Sequence, residues 1–67
     1  MPETWNQYAW KIFEMMINSI IKRTSVSKEE ALIAFRIVFQ MYKDDEIQAA
    51  TCLQLEDQIV KYIRKMR

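Results

Sequence analysis

The chain has 67 residues, of which 51% are hydrophobic and 28% charged, with no glycine, no histidine, one cysteine and one proline. That is one domain, residues 1–67, too apolar to be disordered, and its formal charge of +1 gives no general pull toward nucleic acid or anionic lipid. Without glycine there is no phosphate-cradling loop, and without histidine no imidazole base and no common zinc set, so no enzyme, cofactor or metal site is expected.

Hairpin-forming Asn-Gly, Asp-Gly and Gly-Gly pairs are also absent, which argues against an all-β fold. Three segments instead carry a helix-start device, a capping side chain three residues before Glu or Gln. They are Thr4-Trp5-Asn6-Gln7, Ser27-Lys28-Glu29-Glu30 and Asp45-Glu46-Ile47-Gln48. They predict an all-α fold, a compact three-helix bundle with helices near 5–23, 28–43 and 46–66. The stop near Lys43-Asp44-Asp45 is weak, since no Gly or Asn is there to take a left-handed cap. A two-helix hairpin with one long helix over 28–66 is the alternative.

In the first helix the polar residues Gln7, Lys11, Glu14, Asn18 and Lys22 form a narrow strip, leaving an apolar arc of about 240° on a 100°-per-residue wheel. The centre of that arc, Trp5, Ile12, Met16 and Ile20, is expected in the core. Its far edge, Trp10, Ile17 and Ile21, is in excess of what two neighbours can cover, and Phe13 adjoins it. In the second helix Val26 and Ala31 are placed as a hydrophobic staple around the start. Ala31, Leu32, Ala34, Phe35, Val38, Phe39, Met41 and Tyr42 cover about half the circumference, while Ile33 and Ile37 flank the otherwise polar side. In the third helix Leu53, Leu55, Ile59, Val60, Tyr62 and Ile63 are expected to face inward.

For so short a chain, apolar burial and conformational entropy nearly cancel, so spare apolar surface favours a partner or a second copy. Trp10, Phe13, Ile17, Ile21, Ile33 and Ile37 are the expected intermolecular surface, and a homodimer is expected. Glu56 sits within the apolar arc of the third helix and must be paired or protonated there. A contact to a partner is one role for it, a position leaning into solvent the other.

Lone Cys52 is expected to be a small core residue without catalytic use. Lys61, Arg64, Lys65 and Arg67 suit the negative end of a helix, and could alternatively touch phosphates in a small dimeric nucleic-acid-binding regulator. The acidic start Met1-Pro2-Glu3 is followed by no signal-like apolar run, and no stretch approaches the roughly 20 apolar residues of a membrane span. The expectation is a cytoplasmic, non-enzymatic protein, a regulator or inhibitor that occludes a partner protein with apolar helix faces.

Overall fold

Ser27 ends its own stretch of extended chain (φ −70°, ψ 161°), and its Oγ accepts the Glu30 N–H at 3.2 Å. This is the N-cap that the sequence predicts. It opens helix α2, Lys28–Lys43, and Val26 and Ala31 on either side of it are both buried. The computed structural model describes the chain from residue 3 and side chains from residue 7. The expected core position of Trp5 therefore lies outside the described side chains. Helix α1 runs over Glu3–Thr24, so the helix is already under way ahead of Thr4. At its other end the Ser25 N–H bonds to the Ile21 carbonyl at 2.8 Å, with Ser25 in the left-handed region at φ 59°. Serine thus takes the cap position that glycine usually fills, at a cost of about 1 kcal/mol.

The third start differs from the prediction. Asp45 also has φ 59°. Its N–H bonds to the Tyr42 carbonyl at 3.2 Å, and the Glu46 N–H reaches back to the Met41 carbonyl at 2.9 Å. Those two bonds are a Schellman motif, so Asp45-Glu46-Ile47-Gln48 closes α2 and does not open α3. Helix α3 is Cys52–Met66, and residues 44–51 form a non-helical connector, which also rules out one long helix over 28–66. The true N-cap is Thr51, whose Oγ1 accepts the Gln54 N–H at 3.1 Å, while Gln54 Oε1 accepts the Ala50 N–H at 2.6 Å. Thr51-Cys52-Leu53-Gln54 is a capping box with its return bond one residue upstream.

All three helices touch one another, and no strand occurs among the described residues. The core is Met16, Ile17 and Ile20 of α1, Val26, Ala31, Ala34 and Val38 in and beside α2, and Leu55, Ile59, Val60 and Ile63 of α3. Small Ala31 and Ala34 keep α2 narrow where it meets its neighbours. Ile47 and Ala49 of the connector pack against the same cluster.

The buried face of α1 is turned by about 60° from the predicted centre, toward Phe13 and Ile17, because α2 covers that side. Ile17 is consequently core, 2% exposed, and not surplus. Ile21 is half-buried against the cluster. Ile12, expected inside, is exposed, since α3 begins only at Cys52 and covers less of α1 than a helix from 46 would. The same late start leaves Leu53 at the open end of α3, 71% exposed.

The radius of gyration is 12.2 Å, above the about 11 Å typical of this length. The longest dimension is 39 Å, and α1, the longest helix with 22 residues, is itself about 33 Å long. Residues 7–12 of α1 are all exposed, beyond the reach of the core. Among the described residues, no helix is long and apolar enough to cross a membrane.

Candidate interaction faces

Helix α2 carries two apolar flanks beside its core line. Phe35, Phe39 and Tyr42 recur at the i, i+4, i+7 spacing on the α1 side, and Ile33 and Ile37 lie about 180° around the helix on the α3 side.

The first flank joins α1 in a continuous run of rings. Trp10 meets Phe13 at 5.6 Å between centroids, Phe13 meets Phe35 edge-on at 4.9 Å, Phe35 stacks on Phe39 at 5.6 Å, and Phe39 meets Tyr42 at 6.1 Å. These separations are those of favourable aromatic pairs. Phe13 and Phe35 are half-buried and anchor the run, whereas Trp10, Phe39 and Tyr42 are exposed. The Trp10 indole is steadied by its own helix, Nε1–H donating to Glu14 Oε1 at 3.1 Å.

The second flank opens into a groove of about 380 Å³ between α2 and α3, lined by Ile33, Ile37, Tyr62 and Met66 with Glu30 and Arg67 at its rim. Glu30 and Arg67 face each other at 3.7 Å.

The third face lies between α1 and α3. Here Ile12, Met15 and Leu53 are exposed around a groove of about 290 Å³ that Ser19, Cys52 and Glu56 also line. Glu56 is 7% exposed. Its Oε2 accepts both the Ser19 hydroxyl at 2.9 Å and Arg23 Nη1 at 2.6 Å. Arg23 Nη2 reaches Asp57 Oδ1 at 2.9 Å. The hydrogen bond that Arg23 donates to Glu56, then the one it donates to Asp57, hold the guanidinium pKa above its ordinary value. Glu56 therefore does not lean into solvent, and its partner is found inside the chain, in Arg23 of α1.

The predicted surface is therefore divided. Trp10 and Phe13 belong to the aromatic run, Ile33 and Ile37 to the α2/α3 groove, Ile17 and most of Ile21 to the core, and Glu56 to an internal ion pair. Phe35, Phe39 and Tyr42 complete the aromatic run; the sequence places them in the apolar half of α2 without naming them as part of the intermolecular surface. With Leu32 they recur at spacings of three, four and three, which marks a stripe but not which edge of it stays open. Lys61, Arg64, Lys65 and Arg67 are all exposed, with Arg67 engaged by Glu30. Cys52, expected inside, is a free exposed thiol at the first position of α3. Comparison with known protein families, curated proteins and solved structures finds no match to this chain.

Proposed function

We propose that this chain is a small non-enzymatic interaction protein, a regulator or inhibitor that binds a partner protein and covers a surface on it with apolar helix faces. The observation that carries this reading is the ring run from Trp10 to Tyr42. Trp10 is 61% exposed, Phe39 38% and Tyr42 39%. At 150–250 Å² per aromatic side chain, those three alone offer roughly 300 Å² of contiguous apolar surface. Patches of that size on small proteins are often functional. Aromatic side chains anchored by buried neighbours are also the residues that carry binding energy at interfaces. The surplus on the other two faces supports self-association as well, and a homodimer is part of the proposal.

The test is parallel affinity capture from the native host with the wild-type chain and with a Trp10→Ala, Phe39→Ala double variant, alongside sedimentation of both. A specific protein retained by the first and lost by the second, at unchanged helicity, supports the reading. Identical retention by the two contradicts it.

A further inference from the structure

Both donors to Glu56, Ser19 and Arg23, reach the same oxygen, Oε2. Among the described residues none donates to Oε1. This carboxylate is held almost wholly out of water by the helices, yet it lines the α1/α3 groove. It also shares its cation. Glu56 and Asp57 together face one guanidinium, so Glu56 does not have Arg23 to itself. A partly desolvated acceptor of this kind gains more from a donor than an exposed one does.

The surroundings describe the rest of the ligand. Ile12, Met15 and Leu53 are exposed and apolar around the carboxylate. Tyr8, Ile12 and Met15 repeat at spacings of four and three along one side of α1, the seam on which a second helix seats. The open volume of about 290 Å³ suits one long side chain and the neighbours beside it. Arginine and lysine lay aliphatic stems on apolar surface and present a charged head beyond it.

We infer that the α1/α3 groove receives an amphipathic helix of a partner protein, one whose apolar face carries an arginine or lysine that donates to Glu56 Oε1. This rests on the protein-binding reading above and names the chemistry of the partner at one face. Arg23 fixes the carboxylate, Ile12, Met15 and Leu53 hold the stem, and the charge selects against purely apolar helices.

The experiment is an NMR titration of the isotope-labelled chain with two synthetic helical peptides. Both have the same leucine-rich face; one carries a central arginine and the other norleucine in its place. The arginine peptide is expected to saturate with shifts at Ser19, Leu53 and Glu56, and to bind at least about tenfold more tightly than its neutral twin, the worth of one charge-assisted hydrogen bond. Glu56→Gln should erase that difference. Because Glu56→Gln also removes the Arg23 pair, Leu53→Ala at an exposed position is the independent check, and it should weaken the arginine peptide without altering the fold. Equal affinities, or no saturable shifts at these residues, overturn the inference. Shifts confined to Phe39 and Tyr42 overturn it while sustaining the protein-binding reading. A dimer that Leu53→Ala dissociates assigns the groove to a second copy and also overturns it.

Discussion

Arg23 and Glu56 stand 33 positions apart in the chain and meet at 2.6 Å, tying the end of α1 to the first turns of α3. The two partners are not equally placed. The Arg23 side chain is 37% exposed and that of Glu56 10%, so removing one is not equivalent to removing the other. Arg23→Ala strands a buried carboxylate with only Ser19 as donor, whereas loss of the outer partner Asp57 costs no more than about 0.5 kcal/mol, as for exposed ion pairs generally. Thermal unfolding should therefore rank wild type, then Asp57→Ala, then Arg23→Ala in falling stability. The reverse order would show that Asp57 is the stabilising partner.

The same pair sets a pH expectation. The Arg23 pKa is raised in the folded chain, first by Glu56 and then by Asp57. A raised folded pKa gives stability that is complete below the unfolded value and lost as pH climbs through the folded one. For a guanidinium that loss falls only in strongly alkaline solution. The gap in melting temperature between wild type and Arg23→Ala should stay flat from about pH 6 to 9. A gap that closes within that range would assign the stabilisation to another group.

The connector makes a sharper prediction. Asp45 holds a left-handed conformation at φ 59° as the turn residue of a Schellman motif. Asp45→Gly relieves that strain and should raise stability by about 0.5–1 kcal/mol. Thr51→Ala removes the cap of α3 and should lower it by about 1 kcal/mol. Denaturant midpoints decide both. Were Asp45 a helix N-cap, glycine there would bring a loss of a few tenths, and Thr51→Ala would be silent.

Ile17 and Trp10 separate the core from the surface. Ile17→Ala should cost about 2–5 kcal/mol, enough to unfold much of so small a chain. Trp10→Ala, at an exposed site on the overhanging part of α1, should change stability by no more than about 0.5 kcal/mol. Circular dichroism melts of the two variants test this, and equal losses would place Trp10 in the core.

The C-terminal cations bear on the nucleic-acid alternative. Lys61, Arg64 and Lys65 are exposed, and Arg67 is drawn to Glu30. Neutralising the three free cations to glutamine should leave association with a protein partner unchanged. Affinity for duplex DNA that falls steeply with salt, and is lost in that variant, would favour the other reading.

Helix number and the limits of α2 were legible because Ser27 and its neighbours satisfy propensity, capping and packing together. The start of α3 was not. Asp45-Glu46-Ile47-Gln48 and Thr51-Cys52-Leu53-Gln54 present the same pattern, and only the fold shows the former occupied in closing α2. The surplus of apolar surface on α1 and α2 was also legible, but its position depends on rotation about each helix axis. A shift of about 60° exchanged Ile17 with Ile12, and the late start of α3 uncovered Leu53. The demand that Glu56 be paired follows from its neighbours on one helix, whereas its partner lies on another helix and is set by tertiary packing alone.

The most direct measurement is site-specific photo-crosslinking in the native host, with the reactive side chain placed at Phe39 on the ring run or at Gln40, about 100° further round α2. A discrete protein adduct from position 39 that is absent from position 40 is the predicted result. Equal labelling from both positions, or none from position 39, would contradict an association surface built from Trp10, Phe39 and Tyr42.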